Sequence, residues 1–250
     1  MIFQHIGLVL ILCGAILLIT FLLGVISSIF QFVFVDYLTG DKTSISKYFR
    51  MRIGKGLRVF LFLMGTGIAF FVAIALPLAL FLIPGEGTGI AALPVLFSYL
   101  LLIFLLGIPF FLIYLFTFDF VIPIMIKDDC GVIAGWKTCQ NIITNDWKQA
   151  LFYAVSKFIL TIATTIVIFI VVLIAAIAVA IPLIFIGVIT AAAFAAFTPS
   201  NIILLLLGLL ILTPIVVILM VPFSTFFRHY SLLVLGRLDG NYNLLLKQSV

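Results

Sequence analysis

Asp36, Asp119, Lys157 and Arg228 each stand at the end of a long apolar run. An ionisable side chain in that setting marks an ion or proton path, a catalytic carboxylate or a pairing site between helices. With only 8 Asp and Glu and 13 Lys and Arg among 250 residues, these groups are the first place to look for chemistry. All four belong to one depth, so they are able to meet. The expected pair is Asp119 with Arg228, or Asp119 with a basic residue of the 42–58 segment. The middles of the apolar runs carry no Asp, Glu, Lys or Arg, which leaves no acidic relay for proton coupling. His5 and His229 fall on opposite membrane faces in the topology derived below, so no shared metal site is expected. Cys13, Cys130 and Cys139 offer neither metal-ligand spacing nor an even disulfide framework. Ser and Thr are scattered without a His, Asp or Lys at catalytic spacing, and "IGKGLR" lacks the spacing of a phosphate-binding loop. The chain is therefore expected not to be an enzyme and to need no cofactor or metal. Asp36, Asp119 and His229 are the only positions at which catalysis could be tested.

The elements that hold these residues are dictated by composition. Hydrophobic residues make up 66% of the chain and the mean hydropathy is +1.49, outside the range of soluble domains. Apolar runs of eighteen or more residues are candidates to span the hydrocarbon. The expected fold is an all-α, polytopic transmembrane bundle forming one domain over residues 1–250. Its five spans lie near Ile6–Val35, Val59–Ile83, Leu93–Phe118, Leu151–Leu183 and Ile202–Phe226. The amino-terminal run has no basic leader and is too long for a cleaved signal peptide, so it reads as a retained span. For residues 184–201 the sequence allows either a re-entrant path or one on the outer surface.

Every Lys and Arg falls in one of three places, Lys42–Arg58, Lys127–Lys157 and Arg228–Lys247, whereas segments 84–94 and 186–201 have none. Because cytoplasmic loops keep the excess of positive charge, five spans put the amino terminus outside and the carboxyl terminus in the cytoplasm, in a plasma membrane. The cations form no extended stripe, so nucleic acid is not an expected partner.

Two segments on that inner face read as amphipathic helices. In the first, Ile45, Phe49, Ile53 and Leu57 form an apolar stripe, with Thr43 or Ser44 as N-cap. Lys47, Arg50 and Arg58 point away from the stripe, and Arg52 falls on the wrong face and must snorkel. Lys42, Lys47, Arg50, Arg52, Lys55 and Arg58 are the candidate site for anionic headgroups or an acidic partner. In the second, Val132, Trp136, Cys139 and Ile143 share a face to which Trp147 returns, making Trp136 and Trp147 interfacial anchors. Asp128 or Asp129 is the expected cap of that helix. Small residues at four-residue spacing, Ala69 with Ala73 and Ala176 with Ala180, allow close helix packing within a protomer or between protomers.

"FVFVDYL" followed by "YFRMRIGKGLRVF", then "DFVIPIMIKDDCGVIAGWKTC", then "VPFSTFFRHYSLLVLGRLD" resemble a family of archaeal multi-span integral membrane proteins of unknown function. That family is itself distantly like the membrane domain fused to some bacterial glycerophosphodiester phosphodiesterases. The likeness covers roughly a third of the chain. It implies no activity, places Asp119 and Arg228 in recurring segments, and implies a further amino-terminal span in relatives, of which this chain would be a shortened form. The function expected is that of a non-catalytic scaffold or accessory subunit. Its partners would be membrane lipids with anionic cytoplasmic headgroups, and another membrane protein or further copies of itself. The alternative is a transporter or permease-like component for a lipid or other apolar solute, with Pro77, Pro109, Pro182, Pro214 and Pro222 breaking helices near a binding site.

Overall fold

A computed structural model describes residues 2–39, 45–82, 92–194 and 199–245. Seven α-helices are found among them: α1 (Ile2–Thr39), α2 (Ile45–Leu82), α3 (Ala92–Phe116), α4 (Ile122–Lys127), α5 (Val132–Asn145), α6 (Trp147–Phe194) and α7 (Pro199–Leu238). A π-helical turn, Thr117–Val121, joins α3 to α4, and a 3-10 turn, Gly240–Tyr242, follows α7. Among the described residues, five stretches are long and apolar enough to cross a membrane: Ile11–Thr39, Ile45–Ala79, Phe97–Lys127, Trp147–Val188 and Leu206–Leu238. Lipid offers the backbone no hydrogen bonds, so sequences this apolar must close their own N–H and C=O groups, and helices do so. Among the described residues the architecture is all-α, with five helices long and apolar enough to span a membrane, as expected.

The chain divides into two compact units, residues 1–150 with 231–250, and residues 151–230. In the first, the core gathers at the charged ends of the helices. Phe32 and Val35 of α1, Val59 of α2, Phe120 and Val121 of the π turn, Ile124 of α4 and Leu235 of α7 are all fully buried. In α1 every residue from Ile11 to Leu23 is exposed, and the buried positions begin at Ser28. In the second unit, Tyr153 is buried and stacks on Tyr230 with centroids 5.5 Å apart, while Ser156 Oγ and the Tyr230 hydroxyl share a hydrogen bond of 2.7 Å.

Several expectations are corrected. The 42–58 segment is not a separate interfacial helix: from Ile45 onward it is the first part of α2, continuous to Leu82. The reason is Gly56. A Cβ built there would lie 2.8 Å from the Cα of Ile29 and 3.0 Å from its N, so the backbones of α1 and α2 meet where only hydrogen fits. That contact holds the basic segment against α1. The face presented to α1 carries Phe49, Arg52, Gly56 and Val59, while Ile45, Ile53 and Leu57 of the expected stripe are 54%, 43% and 39% exposed. Ala69 and Ala73 are exposed too, so the close approach in this unit is made elsewhere.

Helices α2, α3, α6 and α7 run through Pro77, Pro109, Pro182, Pro214 and Pro222 without interruption. The register changes near a different proline, Pro123. It has no N–H to give the Asp119 carbonyl one turn back, and its ring crowds that carbonyl. The turn widens there, and the Ile122 N–H donates to the Thr117 carbonyl five residues back. Residues 184–194, for which the sequence allows two paths, continue α6; α7 begins at Pro199, and residues 195–198 lie outside the described part.

Candidate functional site at the charged end

The polar groups of the first unit converge where α1, α2, α4 and the end of α7 come together. Asp36, five positions after Gln31 in α1, has a side chain only 7% exposed and receives both arms of Arg52. Nε donates to Oδ2 at 2.7 Å and Nη2 to Oδ1 at 3.0 Å. Such a forked, charge-assisted pair satisfies a buried carboxylate far better than a snorkelling side chain could. Arg52, expected on the wrong face of an amphipathic helix, is on the inward face of α2.

One turn further along α2, Lys55 donates to the Met125 carbonyl at 2.8 Å and to the Asp129 carboxylate. It thereby closes the carboxyl end of α4, where an ammonium suits the negative end of the helix. Asp129 adopts a left-handed backbone, φ 51°, a conformation that Asp tolerates better than most residues. The Lys55 ammonium holds the Asp129 carboxyl below its ordinary pKa. Asp128 accepts a 2.6 Å hydrogen bond from the Tyr242 hydroxyl. Lys127 donates to the Asn241 carbonyl and sits over the Tyr242 ring, 4.3 Å from its centroid. Burial first, and then the bond to Asp128, push the Tyr242 hydroxyl pKa above its ordinary value. Asp239 makes the turn that delivers this tyrosine, its carboxylate accepting from the Asn241 N–H at 2.9 Å.

The cap of α5 is neither Asp128 nor Asp129, since both carboxylates are engaged elsewhere; Gly131 occupies that position with no side-chain bond. The two tryptophans do not share a helix. Asp146 (φ −130°, ψ 55°) ends α5 and precedes α6, its carbonyl accepting from the Ala150 N–H at 3.1 Å. Short Asn and Asp side chains stabilise such breaks at helix starts. Trp147 consequently opens α6 and is 59% exposed, as an anchor at a membrane surface would be. Trp136 instead packs on Phe62, ring centroids 6.3 Å apart, with its indole N–H buried and unpartnered among the described residues. The buried face of α5, Val132, Gly135, Cys139 and Ile142, lies against protein, with Gly135 over Val121 and Met125. Burial raises the Cys139 thiol pKa to about 12, so it stays protonated at neutral pH.

The six candidate cations therefore separate by role. Arg52 and Lys55 are committed to internal ion pairs, Lys47, Arg50 and Arg58 are exposed, and Lys42, with the expected caps Thr43 and Ser44, lies outside the described residues. Asp119, in the π turn of the first unit, and Arg228, in the second unit, are each 5% exposed, and each makes interactions. Sequence reasoning missed the clasp formed by Tyr242, although "RLDGNY" carries its turn signal in Asp239 and Gly240. It also missed the π turn, whose signal is Pro123 four residues after Asp119.

Five described helices long and apolar enough to cross a membrane, with the polar groups of the first unit knitted together at one end of that unit, are compatible with the class of multi-pass membrane proteins. The chain belongs to a family of unknown function, DUF7544, which it matches over residues 2–245. No curated protein and no solved structure matches it.

Proposed function

We propose that the protein is a non-catalytic interaction or accessory subunit of a membrane assembly, with its charged end toward the cytoplasm. The observation that carries this reading is the uneven distribution of its packing. The first unit places its core at the charged ends of its helices, while Ile11–Leu23 of α1 expose apolar side chains on every side. A transmembrane helix in that state is a surface for lipid chains and for helices of other subunits. The ionisable groups of the charged end support the same reading. Asp36, Arg52, Lys55, Asp128 and Asp129 are spent on holding elements together, whereas a catalytic group must be held ready for a substrate.

The test is purification from the native membrane in mild detergent, with mass spectrometry of the co-eluting proteins. The reading predicts either a stoichiometric membrane-protein partner or a defined assembly of several copies. A monomer that leaves the membrane intact and alone overturns it.

A further inference from the structure

We infer that the outward stripe of α2 centred on Gly54 is a binding site for the headgroup phosphate of an anionic phospholipid, with Arg50 and Arg58 as its clamps. This deepens the proposed membrane role and rests on the charged end lying at the bilayer surface. Arg50, Gly54 and Arg58 follow at four-residue intervals on one helix face. Both arginines are exposed. A Cβ built on Gly54 would meet nothing within 4 Å, so the helix surface between the two arginines is open. The contrast with Gly56 is direct: two residues apart, one glycine admits a neighbouring helix and the other faces outward with nothing against it.

The level is right for a phosphate. Arg58 is the last charged residue before the apolar run that begins at Val59. At about 1.5 Å of rise per residue, Gly54 lies about 6 Å and Arg50 about 12 Å beyond Arg58 along the helix. The polar layer on each side of the hydrocarbon is about 5–7 Å thick, so a phosphate over Gly54 has one guanidinium above and one below. Paired guanidinium donors suit phosphate oxygens better than ammonium groups do. Lys47, also exposed, lies one turn further out on the same face and adds attraction at longer range. Met51 and Leu57, 61% and 39% exposed, flank the stripe. Toward the hydrocarbon it continues through Leu61, Gly65 and Ile68. Leu61 and Ile68 are 46% and 56% exposed, and Gly65 again has nothing over it. That continuation is a track for an acyl chain.

The sign of the headgroup follows from the charges left outside. Asp36 and Asp129 are neutralised by Arg52 and Lys55, and Asp128 is turned to Tyr242. None of these carboxylates offsets Lys47, Arg50 and Arg58, so the stripe favours an anionic lipid over a zwitterionic one.

The experiment uses the purified full-length protein in mild detergent, equilibrated with equal amounts of phosphatidylglycerol and phosphatidylcholine. Retained lipid is measured by mass spectrometry and folding by thermal melting. The wild type retains phosphatidylglycerol preferentially. Each surface cation contributes about fivefold to such binding, so the double variant R50Q/R58Q weakens retention on the order of twentyfold at an unchanged melting temperature. Gly54→Leu weakens it as well, by covering the phosphate position without removing charge. The charge-matched double variant K137Q/R237Q, changed at exposed positions outside the stripe, retains lipid as the wild type does. Equal retention of both lipids, or equal losses in the two double variants, overturns the assignment. So does loss of a bound acidic protein rather than lipid from R50Q/R58Q. Because the readout is taken on the isolated protein, the site can fail while the subunit role stands, and the reverse.

Discussion

The Asp36–Arg52 pair shows how much a single contact decides at the residue scale. Its two side chains are 7% and 13% exposed, so removing one leaves the other buried without its counter-charge. Arg52→Gln is expected to destabilise the fold by about 3–5 kcal/mol, and the double variant D36N/R52Q to recover part of that loss. Chemical unfolding in micelles measures both. The Tyr242 clasp makes a prediction in pH. Its folded pKa is raised by burial and by Asp128, so its contribution is fully present below the unfolded value of about 10 and is lost as pH rises through the folded value. The stability difference between wild type and Tyr242→Phe should be constant from pH 7 to pH 9 and shrink above about pH 10. A difference independent of pH up to 12 would contradict the clasp. Neither partnership was legible in the sequence, because both join residues far apart in the chain. Asp36 and Tyr242 could be noticed there, but Arg52 and Asp128 could not be assigned to them.

The number of apolar helices and their approximate places in the chain, by contrast, were legible at the scale of the element, since apolar runs in lipid have few alternatives to a helix, although α2, α6 and α7 extend well beyond the apolar runs that announced them. What failed was the angle of one segment. Periodicity separates an apolar stripe from a charged one in residues 45–58, but it does not say which stripe meets another helix. Gly56 decides that, through a backbone contact with α1 that leaves no periodic trace. Gly56→Ala should therefore cost about 1–3 kcal/mol through overpacking against Ile29. Gly54→Ala, in open space, should gain about 0.5–1 kcal/mol by reducing the freedom of the unfolded chain. Equal effects of the two substitutions on the melting temperature would mean that α1 and α2 do not meet at Gly56. The single surface helix expected for Trp136 and Trp147 failed for a related reason. Eleven residues of good periodicity do not reveal a break, whereas the Asn145–Asp146 pair is the local signal for one.

For the whole molecule, the distribution of charge carries more information than any one residue. All thirteen Lys and Arg fall in three segments, and the proposal is that the five apolar helices leave those segments on one side of the membrane. The proposed subunit role and the lipid site on α2 both depend on that one-sidedness. It is tested most directly by cysteine labelling of intact cells, starting from a chain in which Cys13, Cys130 and Cys139 are serine. Single cysteines at Lys47, Lys137 and Arg237 should react with an impermeant maleimide only after the membrane is opened, and one at Thr88 should react without opening. Labelling of the first three positions from different sides would contradict the five-span account, and labelling of all three from outside would reverse its orientation.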